Sequence, residues 1–334
     1  MELCVIEGDG VGHEVVPAAV RVLQALVPQV EIYTAHAGFE HLQSHGTPLP
    51  QETIDIVMRT RAVLFGAANS PSYPVEGYYS PIIRLRHMLQ TYANLRPTRY
   101  LPVATARPGV DLMVVRENTE DLYVVNEFTD EEAQSSTAHK VITRTATERV
   151  SHLAYQLAGD TGREKITIVH KANILPQSDG LFRRVALEVA ERYSDIETDE
   201  LLVDTAAYWM VKDPTRFDLI LTSNLYGDIL SDMAAAWGGG LGMSPALNIG
   251  QDVAIAEPVH GAAPDISGKG IANPTATILS VSLLLRHYWD MPDEADRIES
   301  AGRTTLEKGD HTVDLATDGA ISTEEFATRV IDHL

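Results

Sequence analysis

The sequence predicts an α/β protein in which helices and strands pack in layers. Short apolar runs alternate with amphipathic stretches along the whole chain, which is the pattern of layered α/β folds. FDLILTS at 217–223 is nearly all apolar or β-branched, as expected of a strand covered on both faces. At 334 residues the chain can bury a substantial core, and it predicts two domains or one unit with two lobes.

Hydrophobic periodicity places the individual elements. It predicts strands at LCVIE, RAVLFGA, VDLMVVRE, KITIVHK, DELLVD, FDLILTS and DVAIAEP. It predicts helices over 13–26, 51–59, 81–90, 145–158, 177–193, 225–237, 273–289 and 322–333. The polar stretch 128–145 has a short alternating tail, which fits either a protruding hairpin that contacts a second subunit or a solvated surface insertion.

The charge balance excludes several classes of partner. Lys and Arg total 26 against 47 Asp and Glu, a net charge of -21, so the chain lacks the positive field that attracts nucleic acid or anionic membranes. A small anionic substrate remains possible, since a local cluster of arginines is enough to bind it. The lone Cys4 lies in the first apolar run and predicts a core residue. No leader and no apolar stretch of eighteen residues is found, which predicts a cytoplasmic protein.

The glycine-rich stretch IEGDGVGHE at 6–14 ends a predicted strand and opens a predicted helix. Its glycines run G-x-G-x-G rather than G-x-G-x-x-G, and no acidic residue ends a second strand at the usual distance. A standard Rossmann dinucleotide fingerprint is therefore not supported. Taken alone, the stretch favours a tight strand-to-helix turn over a phosphate-binding loop.

Three aspartates indicate a cation site. In TSNLYGDILSD at 222–232, Asp228 and Asp232 are predicted to lie one turn apart on a helix, where like charges repel by a few tenths of a kcal/mol unless a cation lies between them. LLVDTAA at 201–207 places Asp204 at the end of another predicted strand. Oxygen ligands without a His or Cys cluster favour Mg²⁺ or Mn²⁺. A helix cap or a surface acid explains any single aspartate better, but three aspartates in this arrangement are harder to explain that way.

Basic residues near strand ends suit a substrate with several carboxylates. RLRHMLQTYANLRP at 84–97 supplies Arg84, Arg86 and Arg96, and any one of them taken alone is more readily a surface residue than a ligand. Arg116 is harder to dismiss, because it ends an apolar strand where a buried charge needs a partner. Lys171 follows the strand KITIV, at the edge where open α/β sheets gather ligands. Partly desolvated near other cations, such a lysine can act as a base, although a structural lysine fits as well.

The stretch EPVHGAAPDISGKGIANPTATI at 257–278 is a candidate nucleotide-binding loop. It mixes Gly, Pro, His, Asn and Asp ahead of an apolar helix. Loops of this length in compact domains are usually functional, which weighs against a purely structural role. His260 could stack on or hydrogen-bond to a nucleotide, and Asp265 could accept from ribose hydroxyls.

Taken together, these stretches resemble the β-decarboxylating dehydrogenases, the family of isocitrate, 3-isopropylmalate and homoisocitrate dehydrogenases. The motifs run in order over essentially the whole chain: EGDGVGHEV, LRxxxxxYANLRP, VRENTEDLY, HKANIL, the Asp204 strand end, TSNLYGDILSD and EPVHGAAPDISGKGIANPTA. The resemblance implies an α/β two-domain isocitrate/isopropylmalate dehydrogenase-like fold, not a Rossmann fold. Residues 1–98 plus 251–334 would form the cofactor-side domain. Residues 99–250 would form the second, with an intersubunit arm at about 124–145.

The resemblance also implies a role for each matched residue. Lys171, lent by the partner subunit, resembles the general base, and Tyr123 resembles the acid that protonates the product enol. Asp228 and Asp232, with Asp204 also lent by the partner subunit, resemble the ligands of Mg²⁺ or Mn²⁺. The residues matched to substrate binding are Ser80, Ile83, Arg86, Arg96, Arg116, Tyr123, Lys171 and Asn173. Those matched to NAD binding are Glu257, His260, Gly261, Ala263, Asp265, Ile266 and Asn273.

The implied reaction uses this set together. Hydride passes from C2 to NAD⁺ while Lys171 takes the hydroxyl proton, and the metal then stabilises the enolate formed as CO₂ leaves. Tyr123 returns a proton to carbon. NAD is implied rather than NADP, because Asp265 and Ile266 stand where the resembling NADP enzymes have lysine and tyrosine, and the loop is expected to supply no cation nearby. A homo-oligomer with shared active sites, a dimer or a tetramer, is implied as well.

The stretch GYYSPIIRLR at 77–86 resembles homoisocitrate dehydrogenases. It implies a small tricarboxylate substrate and conversion of homoisocitrate to 2-oxoadipate and CO₂, a step of lysine biosynthesis through 2-aminoadipate. Isocitrate and 3-isopropylmalate remain alternatives, because Ile82 and Ile83 are apolar. A silent regulatory subunit is disfavoured, since the metal, base and acid residues are all present. Two departures adjoin the site: Asp121 replaces the glycine of ENTEGLY, and Thr205 replaces the asparagine that often follows the metal aspartate.

Overall fold

The chain folds into two α/β units in the computed structural model, which describes residues 1–316 and 318–334. The first unit, here called unit 1, contains Met1–Leu89, Tyr100–Pro108 and Gly238–Leu334. The second, unit 2, contains Gln90–Arg99 and Gly109–Trp237. The predicted α/β class is confirmed.

Twelve strands and eleven helices are described within those residues. The strands are β1 (Glu2–Gly8), β2 (Glu31–Ala35), β3 (Ala62–Ala67), β4 (Ala93–Arg99), β5 (Asp111–Glu117), β6 (Glu127–Thr129), β7 (Ser136–Ala138), β8 (Lys165–His170), β9 (Glu197–Leu202), β10 (Leu219–Thr222), β11 (Pro245–Ile249) and β12 (Ala254–Pro258). The helices are α1 (Gly12–Leu26), α2 (Phe39–His45), α3 (Gln51–Thr60), α4 (Pro81–Leu89), α5 (Arg144–Asp160), α6 (Ser178–Ala190), α7 (Val203–Lys212), α8 (Asn224–Gly238), α9 (Thr275–His287), α10 (Pro292–Glu307) and α11 (Thr323–Asp332). None of these helices is long and apolar enough to cross a membrane.

Unit 1 is built on strands in the order β2-β1-β3-β12-β11. They run parallel except for β11, which pairs antiparallel with β12. Every residue of β3 is buried, as expected of a strand covered on both faces. One face packs an apolar cluster that contains Cys4, Phe65 and Ile255, so Cys4 is the core residue that its position predicted.

Unit 2 is built on strands in the order β4-β5-β10-β8-β9. β4 pairs antiparallel with β5, and the other four strands are parallel, so their carboxyl ends share one edge. β6 and β7 form a separate, exposed hairpin within the predicted 128–145 insertion. A hairpin there is therefore confirmed, and its contact with a second subunit stays a prediction.

The glycine-rich stretch forms a tight turn. Gly8 and Gly10 have φ of +77° and +60°, and a Cβ on them would lie 1.8 Å from Ala67 O and 2.1 Å from Ala262 O. Such approaches require glycine. The buried Asp9 carboxylate accepts backbone N–H groups from Phe39 at 2.8 Å and Asn69 at 2.7 Å, which fixes the turn against two other loops.

Some elements differ from the sequence pattern. Asp204 lies in the first turn of α7 rather than at a strand end, because β9 stops at Leu202, its last residue paired with β8. The unit boundaries also differ from 98/99 and 250/251. Residues 90–99 belong to unit 2 since β4 pairs with β5, and residues 238–250 belong to unit 1 since β11 pairs with β12.

Candidate active site

The carboxyl edge of the unit 2 sheet gathers the predicted catalytic residues of that unit. Arg116 lies near the end of β5, Lys171 directly follows β8, and Asp204 follows β9. β10 leads into α8, the helix that carries Asp228. Parallel strands bring these ends together, which is where ligands bind in open α/β sheets. Asn173 is exposed in the turn after Lys171.

Asp228 is the centre of the larger group of contacts. Its carboxylate pairs with the Arg116 guanidinium, lies 3.2 Å from Arg96 Nη1, and accepts the Tyr123 hydroxyl at 2.6 Å. The Arg116 guanidinium also lies 4.8 Å from the centre of the Tyr123 ring. The structure thus brings together two predicted substrate arginines, the predicted acid and one predicted metal ligand.

Arg116 and Arg96 are each fixed by a hydrogen bond to a polar side chain of α8. Arg116 is 1% exposed, and its Nε donates to Asn224 Oδ1 at 2.8 Å. A Cβ on Gly227 would lie 2.6 Å from Arg116 Cγ, so this glycine lets the arginine pass beneath α8. Arg96 Nη1 donates to Ser231 Oγ at 2.7 Å. Fixed guanidinium groups suit bidentate recognition of carboxylates.

Asp232 completes the i, i+4 pair on α8. It is half-exposed and lies 3.6 Å from Arg96 Nη1. Burial, with the nearby Asp228 carboxylate adding to it, raises the pKa of Asp232 above its usual range. The two arginines balance the two aspartates in charge. A divalent cation therefore fits this oxygen donor set best when an anionic substrate arrives with it.

Lys171 and Asp204 form a second pair. Their side chains contact each other directly, and this hydrogen bond holds the pKa of Asp204 below its usual range. The partner of Lys171 is thus an anion, not the cations that the sequence suggested. Asp179 accepts the backbone N–H of Lys171 at 2.7 Å. Among residues 1–316 and 318–334, no three His, Cys, Asp or Glu side chains are grouped to hold a metal, so one chain does not unite Asp204 with Asp228 and Asp232.

Unit 1 holds the remaining predicted substrate arginine. Arg86 is buried and pairs with Glu257, whose Oε1 also accepts from Asn248 Nδ2 at 2.8 Å. Within the described residues, the buried Arg86 Nε has no protein partner. The Arg86–Glu257 pair therefore fixes both side chains in unit 1, and the Arg86 Nε donor is enclosed by the protein.

The segment before Arg86 places the predicted specificity residues. Ser80 precedes α4, and Ile83 lies in its first turn; both are half-buried. Ile82 packs against the apolar cluster that contains Phe65. Ser80 and Ile83 are thus available to a ligand, whereas Ile82 belongs to the core.

The loop between β12 and α9 is ordered by backbone contacts. Its ends and middle are hydrogen-bonded to α1, to the glycine turn and to α11: Val11 N–H to Ala262 O at 2.9 Å, Gly268 N–H to Glu14 Oε1 at 2.7 Å, and Thr323 N–H to Gly270 O at 3.0 Å. The loop therefore has one defined conformation in which a nucleotide could be received.

His260 is the loop residue whose chemistry fits a nucleotide most directly. Its Nδ1–H donates to Gly261 O at 2.9 Å, and burial lowers the pKa of the imidazole. The buried Nε2 has no protein partner in the described part of the chain, and with the proton on Nδ1 it is a hydrogen-bond acceptor. Asn273 is engaged by the protein itself, with Nδ2 donating to Asp314 at 3.0 Å. Ala263, also predicted at the cofactor, has φ of +41°.

Asp265 and Ile266 lie in the same loop, exposed and half-buried. The expectation that no cation lies near them is wrong. Lys269 Nζ donates to the backbone carbonyl of Asp265 at 2.7 Å. The sequence argument missed it because a side chain four positions along folds back within the turn.

Other residues that sequence reasoning missed are polar partners of the predicted ones. Asn224 and Ser231 orient the arginines, and Lys140 and Asp179 lie next to the Lys171 turn. Asn224 stands inside TSNLYGDILSD, so its position in the motif was a usable signal. Lys140 offered none, because it lies in a polar stretch outside the motifs that carry the resemblance.

Comparison with known proteins agrees with this geometry. The protein-family model described as isocitrate/isopropylmalate dehydrogenase matches residues 2–330 of this chain. The isocitrate/homoisocitrate dehydrogenase of Thermus thermophilus is 46% identical, over 99% of this chain and 98% of its own. The 3-isopropylmalate dehydrogenase of Archaeoglobus fulgidus is 45% identical over 100% and 99%.

Two further proteins extend the comparison. The homoisocitrate dehydrogenase of Methanocaldococcus jannaschii is 41% identical, over 100% of this chain and 98% of its own. The crystal structure of isocitrate dehydrogenase from Methylococcus capsulatus superposes with a TM-score of 0.96 at 42% identity, covering 99% of this chain and 98% of that one. The relatives thus carry several substrate names.

The chain belongs to the isocitrate/isopropylmalate dehydrogenase family. It is a dehydrogenase that oxidatively decarboxylates a 3-carboxy-2-hydroxy acid, and its family uses a divalent metal with NAD or NADP. Family members are generally dimers. The resemblance read from the motifs is confirmed at this level.

Replacing Asp228 by Asn tests whether this carboxylate is a metal ligand. The amide keeps the shape but loses the charge that Arg96, Arg116 and a cation share. We expect the metal concentration for half-maximal rate to rise at least about tenfold and kcat to fall on the order of a hundredfold. Titrating the rate with Mg²⁺ and Mn²⁺ measures both.

The control is Ser194→Ala, an exposed change in unit 2 that should leave metal dependence untouched. Circular dichroism verifies that the Asp228→Asn protein is folded. Metal dependence equal to wild type in the folded variant would remove Asp228 from the ligand set.

Proposed function

We propose that this chain is an NAD-dependent homoisocitrate dehydrogenase that needs Mg²⁺ or Mn²⁺ and releases 2-oxoadipate and CO₂. The observation that carries the proposal is the convergence of Arg96, Arg116 and Tyr123 on Asp228. This convergence supports a single site in unit 2 with carboxylate-binding groups, a proton donor and a metal ligand.

The residues divide the chemistry between them. Arg96 and Arg116 bind and orient the carboxylates of the malate part, since each is fixed by neighbours and buried. Lys171 receives the proton of the substrate hydroxyl during hydride transfer to NAD⁺. Tyr123, whose hydroxyl already donates, delivers a proton to carbon after CO₂ leaves. The divalent ion, when bound, supplies Lewis-acid stabilisation of the charge that develops during decarboxylation.

Ser80 and Ile83 supply the preference for homoisocitrate. The Ser80 hydroxyl can donate to a distal carboxylate, and Ile83 offers an apolar surface to the methylene that homoisocitrate has beyond isocitrate. This argument is supported by the GYYSPI stretch and by the relatives named for homoisocitrate.

Two other substrates have specific support. Isocitrate is supported by the relatives named for it, and the apolar Ile83 favours the isopropyl group of 3-isopropylmalate. A catalytically silent subunit is disfavoured, because Lys171, Tyr123 and the three aspartates are all in the chain.

The substrate proposal is tested by initial rates. Purified protein with Mg²⁺ and NAD⁺ is assayed with homoisocitrate, isocitrate, 3-isopropylmalate and tartrate, and kcat/KM is expected to be highest for homoisocitrate. Ser80→Ala should lower kcat/KM for homoisocitrate about tenfold, the value of one hydrogen bond to a charged group, and leave 3-isopropylmalate within about twofold.

Ser72→Ala, an exposed change in the same segment, is the matched control and should leave kcat/KM unchanged for both substrates. A higher kcat/KM for isocitrate or 3-isopropylmalate would transfer the assignment to that acid. No turnover of any substrate by the folded protein would favour the silent subunit.

We infer that Lys171 and Asp204 act in the site of a partner subunit. Their mutual contact, and the lack of a grouped three-acid ligand set among the described residues of one chain, support this. Mixing an inactive Lys171→Ala protein with an inactive Asp228→Ala protein should then restore activity, because each mixed dimer has one site without either change. Statistical exchange gives roughly a quarter of the wild-type rate per chain.

Subunit exchange is verified by isolating mixed dimers through two different tags. The matched control mixes Lys171→Ala with Asp204→Ala. Both residues are proposed to act in the partner's site, so each site of this mixed dimer lacks one of them and no activity should return. Absence of recovery in verified Lys171→Ala and Asp228→Ala mixed dimers would mean that each chain builds its own site.

We also infer a preference for NAD⁺ that is weakened by Lys269. Asp265 would accept from both ribose hydroxyls of NAD⁺ and would repel the 2′-phosphate of NADP⁺, by roughly 2 kcal/mol after screening. The Lys269 ammonium, held at the Asp265 carbonyl, offsets about 1 kcal/mol of this, as an exposed charge does. The expected preference in kcat/KM is therefore about fivefold.

Lys269→Met should raise that preference toward about thirtyfold, and Asp265→Lys with Ile266→Tyr should reduce or reverse it. Lys308→Met, an exposed lysine change outside the loop, is the control. Equal or greater kcat/KM for NADP⁺ in the wild-type protein would refute the preference.

A further inference from the structure

Asp121, the residue that stands in place of a family glycine, is buried in a polar network of unit 2. It is fully buried, and its carboxylate accepts the backbone N–H groups of Leu122 at 2.8 Å and Leu225 at 3.1 Å and the Ser223 hydroxyl at 2.8 Å. Leu225 lies in the first turn of α8. Asp121 therefore ties the turn that carries Tyr123 to the start of the helix that carries the metal-ligand candidates.

Lys140 joins Asp121 to a second buried carboxylate. Its ammonium lies 3.4 Å from Asp121 Oδ1, 2.8 Å from Asp179 Oδ1, and 4.2 Å from the centre of the Tyr226 ring. Asp179 is 1% exposed and accepts the backbone N–H of Lys171 at 2.7 Å. A continuous chain of contacts thus runs from the acid turn, through Lys140, to the base turn.

The backbone of Asp121 is strained, and the contacts of its carboxylate hold it in that conformation. Its φ of +72° and ψ of −144° lie in a region that essentially only glycine adopts. A residue stays in such a conformation only where its surroundings over-determine it. The four polar contacts of the Asp121 side chain do so here.

We propose that Asp121 and Lys140 are positioning residues that fix the turn that carries Tyr123 and the turn that carries Lys171, so that the two turns move as one. The inference rests on the proposed function, in which Tyr123 serves the chain's own site and Lys171 serves the partner's site. Lys140 then couples the acid of one active site to the base of the other. Without its ammonium, two buried carboxylates lose a shared counterion, so both turns rearrange.

The first test compares Lys140→Met, Lys140→Arg and a matched control. Lys165 also lies between two carboxylates, Glu197 at 3.0 Å and Asp199 at 2.8 Å, but at the opposite end of β8. Lys140→Met should lower kcat about a hundredfold with KM for NAD⁺ within about twofold, as small misplacements of catalytic groups do. Lys140→Arg should recover most of the rate, and Lys165→Met should match wild type.

Hydrogen exchange of the metal-free, cofactor-free protein gives a readout independent of turnover. In Lys140→Met the amides of Leu122, Leu225 and Lys171 should all exchange at least about tenfold faster. Unchanged exchange at Lys171, or an unchanged kcat, overturns the proposal. If Lys140→Met does not fold, Lys140→Gln carries the same test, since it removes the charge that Asp121 and Asp179 share and keeps a polar side chain there.

Mixed dimers separate a shared role from a local one. A dimer of one Lys171→Ala chain and one wild-type chain keeps a single complete site, with Tyr123 from the first chain and Lys171 from the second. Lys140→Met is placed in either chain in turn, and both placements should slow this site at least about tenfold. Loss in only one placement, or in neither, rejects the coupling.

The failure of the proposed function has a different signature. It would show as a wild-type protein inactive on every substrate, or as no recovery in the Lys171→Ala and Asp228→Ala mixture. An active wild type with normal complementation and unaffected Lys140→Met dimers would count against the coupling alone.

Discussion

The pairing of Asp228 with Arg96 and Arg116 is the interaction on which the unit 2 site depends. A guanidinium that is 1% exposed at a strand end is stable only with a partner, and Asp228 provides it. The same carboxylate accepts from Tyr123, so one anion fixes both arginines and the tyrosine. α8 must therefore approach β5 closely, which Gly227 permits by leaving room for the arginine.

The charged side chains around Asp228 balance one another within unit 2. Two arginines and two aspartates are neutral together, so the folded chain carries no unpaired buried charge there. A polycarboxylate substrate would draw on the arginines and release the aspartates toward a divalent ion. Substrate and metal binding are then mutually favourable, because each supplies the charge that the other requires.

Much of the fold followed from local patterns. Buried strands such as AVLFGA and LILT stand out by continuous apolar character, and the i, i+4 aspartates by helical spacing. The features that the sequence did not predict depend on which residues pair with each other in the fold. β4 carries polar residues such as Arg96, which contacts Ser231 and Asp228 of α8. β9 ends where its ladder with β8 ends, so Asp204 lies in the first turn of α7. Lys269 and Lys140 were invisible for the same reason: their roles come from neighbours brought near by turns.

The hydrogen bonds around the loop between β12 and α9 link the two ends of the chain. Glu14 near the N-terminus holds Gly268, and Thr323 at the start of the last helix holds Gly270. A ligand that binds this ordered loop adds its binding free energy to the folded form alone. A nucleotide bound at this loop would therefore be thermodynamically linked to the contacts that α1 and α11 make with it in unit 1. An enzyme saturated with cofactor would resist fraying and proteolysis at its termini, far in sequence from the bound ligand.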